Sequence, residues 1–137
     1  MLIERTKTAH DPTAVEITDS EAMAMARAAL NLFSKWGLSD SEARALLGGV
    51  SSSTYNRWKT GSIGRISADL ATRLSILMGI HKGLGYLFSD RVRRYRWVKR
   101  PNKAFSGRTP LEVMTEGNSM FSLMRVRTYL DAERGGW

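Results

Sequence analysis

Cysteine is absent from the 137 residues. That excludes disulfide frameworks, thiolate nucleophiles and every cysteine-ligated zinc set. A chain that needs no disulfide suits the cytoplasm, the compartment expected for it. Histidine is scarce too: His10 and His81 stand alone and far apart, a poor basis for a metal site. No metal and no cofactor is therefore expected. Proline occurs three times, at 12, 101 and 110, so long helices are free to form between those points. No apolar run approaches the roughly 20 residues that a membrane span requires. Met1 to Pro12 is polar and mixed in charge, unlike a signal peptide. No glycine-rich phosphate loop follows a strand, because Gly79, Gly83 and Gly85 fall among helical positions. The carboxylates Glu21, Glu42 and Glu112 stand where helix caps need them rather than in catalytic pairs. An enzyme is not expected.

What is present is apolar bulk and positive charge. Hydrophobic residues make up 42%, enough for a core in one domain or two small lobes sharing one. The net charge is +8, and it is unevenly spread. Residues 1–40 hold four Lys/Arg against six Asp/Glu, residues 41–90 six against three, and residues 91–137 eleven against four. A basic surface of this kind attracts phosphate polymers or an acidic partner, although a charge run is most often only a solvated face.

Residues 1–17 lack helical periodicity and read as a flexible arm. Thr18-Asp19-Ser20-Glu21 has the spacing of a capping box and opens a helix to about Trp36, with Met23, Ala26, Leu30 and Phe33 as its apolar stripe. Gly37 ends it. Ser39-Asp40-Ser41-Glu42 is a second box before a short helix ending at Leu46-Leu47. The hydroxyls of Ser51 to Thr54 start a third helix, which stops at Gly61. A fourth is predicted from Ser67 to Met78 and a short fifth from His81 to Phe88, with glycines between. From Arg91 to Arg100, Phe88, Val92 and Tyr95 keep helical spacing, while the alternation of Val92, Arg94, Arg96 and Val98 leaves a strand open. Thr109-Pro110-Leu111-Glu112 combines a cap, Pro at the first helical position and a closing Glu. Gly117 closes that helix. Asn118 is placed to cap the last one, along which Phe121, Met124, Val126 or Arg127, and Leu130 run. The expected fold class is all-α.

The stretch Ser39 to Thr60 has the form of a helix-turn-helix. Two short helices around a glycine turn stand at a steep angle, so the second enters a major groove while the first crosses the backbone. Gly48 or Gly49 supplies the positive φ of the turn. Thr54, Tyr55 and Trp58 share the inward face of the second helix, and Ser52, Ser53, Asn56, Arg57 and Thr60 the outward one. Arg57 suits a guanine edge and Asn56 an adenine. Arg44, Lys59 and Arg65 are placed for phosphates. The same pattern also fits a plain helical hairpin with a polar outer face.

Leu46-Leu47-Gly48 … Val50-Ser51-Ser52-Ser53-Thr54-Tyr55-Asn56-Arg57-Trp58 resembles the helix-turn-helix of Xre-type repressors, in the form found in Xre/MbcA/ParS antitoxins, with Gly49 as one extra turn residue. Trp97 … Arg100-Pro101-Asn102 … Phe105 … Gly107 … Thr109-Pro110-Leu111-Glu112-Val113-Met114 … Gly117 is similar to the toxin-binding domain of the same antitoxins. The resemblance covers roughly residues 20–137. It implies an N-terminal helix-turn-helix bundle packed with a C-terminal helical domain, here 18–88 and 89–137 behind the arm. It also implies a RES-domain toxin partner, an enzyme that consumes NAD or transfers ADP-ribose from it, whose active-site entrance the antitoxin covers. Autoregulation by binding an inverted-repeat operator follows from it as well. Arg100, Asn102 and Phe105 are then placed for the toxin.

The tail fits the same partner. Gly135-Gly136 lets backbone enter a narrow cleft, Trp137 suits an apolar pocket, and Arg134 or the terminal carboxylate suits charged groups there. A frayed terminus is the plain alternative. Three functions compete: an antitoxin, a helix-turn-helix regulator without a toxin, and an RNA-binding or architectural protein. A symmetric operator implies a homodimer or a higher toxin–antitoxin complex, with the apolar faces of the first and last helices as candidate surfaces.

Overall fold

In the computed structural model, residues 16–135 are described. The expected arm up to residue 15, and Gly136 and Trp137, lie outside them. The described residues form seven α-helices and no strand. Helix α1 spans Asp19–Lys35, α2 Asp40–Leu46, α3 Ser52–Lys59, α4 Ala68–Leu87, α5 Arg91–Arg96, α6 Pro110–Thr115 and α7 Met120–Glu133. None is long and apolar enough to cross a membrane.

Local chemistry sets most of the starts. The Thr18 hydroxyl accepts from the Glu21 amide at 3.1 Å and Glu21 accepts from the Thr18 amide at 2.9 Å. The same reciprocal pair forms at Ser39 and Glu42 and at Thr109 and Glu112. Each box satisfies two amides that the first helical turn leaves without partners. Ser51 caps α3 and Ser67 caps α4 through their hydroxyls.

Helix α4 is the axis of the molecule. Ala71, Leu74, Ile76, Leu77, Ile80, Gly83 and Leu84 are all buried, because α1 packs on one side of the helix and α7 on another. From α1 the buried set is Ala22, Ala26, Ala29, Leu32 and Phe33; the alanines let two helix axes approach. Met23 and Leu30, expected in this stripe, are only half-buried.

Three expectations are corrected here. The predicted break between Met78 and His81 does not occur, and α4 runs unbroken through both glycines. A side chain at Gly79 would collide with the Arg127 guanidinium, and a Cβ at Gly83 would stand 3.4 Å from the Leu130 Cβ. These glycines mark a close helix crossing, not a helix end. The last helix is capped by Ser119, whose hydroxyl accepts from Phe121. Asn118 instead turns the chain at φ 53°. Finally, α7 buries Leu123, Val126 and Leu130, whereas Phe121 is 87% exposed and Met124 40%. The apolar stripe is rotated from the expected one.

Arg91 to Lys99 is helical, as α5 and a 3₁₀ turn over Trp97–Lys99, not a strand. Val98 from that turn and Pro110, Leu111, Val113 and Met114 from α6 complete the core.

Candidate functional site

The turn between α2 and α3 is held from both sides. Gly48 and Gly49 take φ of 87° and 89°, a region open to glycine but strained for other residues. Arg44 Nε donates to the Val50 carbonyl at 2.9 Å across the turn. Tyr55 and Trp58 are buried and fix the roll of α3. Ser52, Ser53, Asn56, Arg57, Lys59 and Thr60 are all exposed. An amide, a guanidinium and short hydroxyls on one outward face are the groups that meet base edges and phosphates.

The cations around this face differ in their commitments. Arg57 Nη2 donates to the Thr54 hydroxyl at 3.2 Å, which orients it along the face. Lys59 Nζ pairs with Asp40 at 2.6 Å and lies 5.4 Å from the Tyr55 ring centroid. Burial, and then the Asp40 charge, push the Tyr55 phenol above its ordinary value. Arg65 is exposed in the loop after α3, between the buried Ile63 and Ile66. Arg44, expected at a phosphate, spends its Nε on the turn.

At the other end, the loop 100–108 closes on itself. Asn102 Oδ1 accepts from the Ala104 amide at 2.9 Å, and the Asn102 amide donates to the Arg108 carbonyl at 3.0 Å. Phe105 is 3% exposed, its ring edge-on to Tyr129 at 5.2 Å. Tyr129 also stacks on Trp97 at 6.2 Å. Phe105, expected at a partner surface, is thus a core residue: burying a large aromatic ring inside outweighs leaving it to a loop tip. Arg100 is exposed at the start of the loop. Arg134 lies 3.8 Å over the Tyr86 ring, and Gly135 follows with φ 113°.

Family models match both halves. An antitoxin Xre-like helix-turn-helix domain matches residues 16–79, and the C-terminal toxin-binding domain of the Xre/MbcA/ParS antitoxins matches residues 84–136. The chain belongs to the Xre/MbcA/ParS antitoxins. It is also similar to the uncharacterised protein y4oB of Sinorhizobium fredii, at 40% identity over 102 residues, 74% of this chain and 78% of that one.

In this antitoxin α4 carries the first matched region into the second, so the two share a helix and a core. One residue escaped the sequence reading altogether. Arg73 of α4 is 7% exposed; its Nη1 donates to the Leu46 carbonyl at 3.1 Å and its Nη2 to the Asn118 carbonyl. Burial lowers its pKa and Asp69 pulls it back. The signal was available: Arg73 lies three residues after Leu70 and four before Leu77, inside an apolar stripe, where a charge requires buried partners.

The basic run of the antitoxin is likewise sorted by the structure. Arg94 donates from Nε and Nη2 to the Phe88 carbonyl at 3.1 and 2.9 Å, closing the end of α4. Arg93 lies 5.5 Å over the Phe88 ring. Arg91 and Arg96 are exposed.

Proposed function

We propose that this antitoxin neutralises a RES-domain toxin by covering its active-site entrance, and that it represses its own operon in the cytoplasm by binding operator DNA as a homodimer or a toxin–antitoxin complex. The observation that carries the DNA half is the orientation of α3. Tyr55 and Trp58 anchor it inward, and Ser52, Ser53, Asn56 and Arg57 face solvent together. The toxin half is supported by the match over 84–136, and the RES identity by the motif resemblance around Arg100 to Gly117.

In this reading Arg57 and Asn56 read bases, Ser52 and Ser53 meet the backbone, and Arg65 flanks them. Arg44 and Lys59 set the frame, given their bonds to Val50 and Asp40. Arg100 and Arg134 meet the toxin with the 135–137 tail. Asn102 and Phe105 shape the loop that presents Arg100.

Two variants test the division of labour. Arg57→Ala should remove preference for the antitoxin's own promoter over scrambled DNA and leave toxin neutralisation intact. A chain lacking residues 134–137 should lose growth protection against the toxin more than promoter binding. Loss of neutralisation in a folded Arg57→Ala protein, or full protection by the truncated chain, would refute the assignment.

A further inference from the structure

We propose that the cleft between the end of α1 and the α5 segment is a phosphodiester site, which carries the nucleic-acid footprint beyond α3 onto the domain matched as toxin-binding. The inference rests on the DNA-binding reading of α3. The cleft has a volume of about 440 Å³, with the buried Trp36 at its base. Lys35, Tyr95, Arg96, Lys99 and Arg100 line it, and every charged side chain among them is a cation. Lys35 Nζ lies 5.6 Å from the Tyr95 ring centroid, which ties the α1 ammonium to α5 across the cleft.

Position argues for nucleic acid. Lys99 Nζ donates to the Gly37 carbonyl at 2.6 Å and stands 3.4 Å from Glu42 Oε1. The cleft is thereby tied to the corner between α1 and α2. The same first turn of α2 holds Asp40, which pairs with Lys59 at the end of α3. The C-terminal end of α3 and the cleft therefore flank one corner, the start of α2, and in helix-turn-helix docking this first helix of the pair crosses the DNA backbone. The two carboxylates at this corner, Asp40 and Glu42, are each offset by a lysine. Arg96 makes no ion pair among the described residues, so its charge is free for a polyanion, while Arg100 stands at the rim toward the toxin side. Exposed cations of this kind act on a duplex by releasing its condensed counterions.

The test uses the full-length chain and a Lys35→Gln/Arg96→Gln double variant, with fold checked by circular dichroism. Both exposed residues are outside the α3 surface. Affinity is measured against salt for two duplexes, the promoter upstream of the protein's own gene and a scrambled sequence of equal length. The log–log slope should become shallower by about 0.9 for each phosphate contact removed, close to two units for the pair. The change should be the same on both duplexes, with their affinity ratio unaltered, because phosphates carry no sequence information. Wild-type slopes for the variant on both duplexes would overturn the proposal. So would wild-type slopes with loss of toxin neutralisation, which would assign the cleft to the protein partner. A wild-type chain that binds both duplexes equally would instead refute operator reading by α3, while the slope on scrambled DNA still decides the cleft.

Discussion

Arg73 Nη1 donates to the carbonyl of Leu46 across 3.1 Å, from inside the core to the last residue of α2. A helix end leaves carbonyls without partners, and here a buried guanidinium on another helix satisfies one. Its second arm meets the Asn118 carbonyl just before α7. The helix-turn-helix corner and the C-terminal helices thus share one cation. Gly48 belongs to the same device, since a Cβ there would stand 2.7 Å from Arg73 Nε. Arg73→Met should destabilise the chain by about 3–6 kcal/mol, the combined loss of two hydrogen bonds from a charged donor. Urea denaturation measures it. A midpoint equal to wild type would show that the two carbonyls find other partners.

Opposite faces of α7 should respond unequally to mutation. Leu123 is fully buried and Phe121 is 87% exposed, although sequence spacing put Phe121, and not Leu123, on the apolar stripe of the last helix. Leu123→Ala should cost about 2–5 kcal/mol through the cavity it leaves. Phe121→Ser should stay within about 0.5 kcal/mol in the monomer. Thermal denaturation of the two variants at low protein concentration decides. A large loss at Phe121 would mean that the ring is covered in solution, as a dimer surface requires.

These two cases show what the sequence made legible. Capping boxes are local, built from residues three apart, so Thr18, Ser39 and Thr109 were readable as helix starts without knowledge of the fold. The inward roll of α3 was readable because Tyr55 and Trp58 are large and the residues between them small or polar. The roll of α7 was not, since Phe121, Leu123, Met124 and Val126 are all apolar and only the position of α4 chooses among them. Helix α4 was cut in two for a similar reason. Glycine weakens a helix by intrinsic propensity, but the fit of Gly79 and Gly83 against α7 overrides that preference. Phe105 was misplaced because a motif records which residues recur, not whether they touch a partner or support the loop that does.

The glycines of α4 offer a graded test. At Gly85 an added Cβ meets nothing within 4 Å, and the residue is helical and exposed. Gly85→Ala should stabilise by about 0.5–1 kcal/mol from propensity and lost chain entropy. Gly79→Ala gains the same propensity but must displace the Arg127 guanidinium, whose Nε is already buried without a hydrogen bond. Its net effect should fall below that of Gly85→Ala. Chemical denaturation of both variants gives the order, and equal gains would show that α7 yields to the methyl freely.

Acid should weaken the fold in two separable steps. His81 is half-buried where α1 meets α4, beside Leu32, Lys35 and Met78, and its Nδ1 is buried without a partner. Burial first, then the charges of Arg94 and Lys35, lower its pKa from the ordinary 6.5. The folded chain therefore resists a proton that the unfolded chain accepts, so stability falls as pH drops below 6.5. The second step belongs to Glu21, Glu42 and Glu112, each held below 4.5 chiefly by the backbone amide it accepts from. Their contribution is present above 4.5 and is lost only as pH falls through lower values. His81→Gln should thus flatten the fall in Tm between about pH 7 and 5 and leave the more acidic step in place. If the variant's Tm tracked wild type through both windows, His81 would have no part in the first.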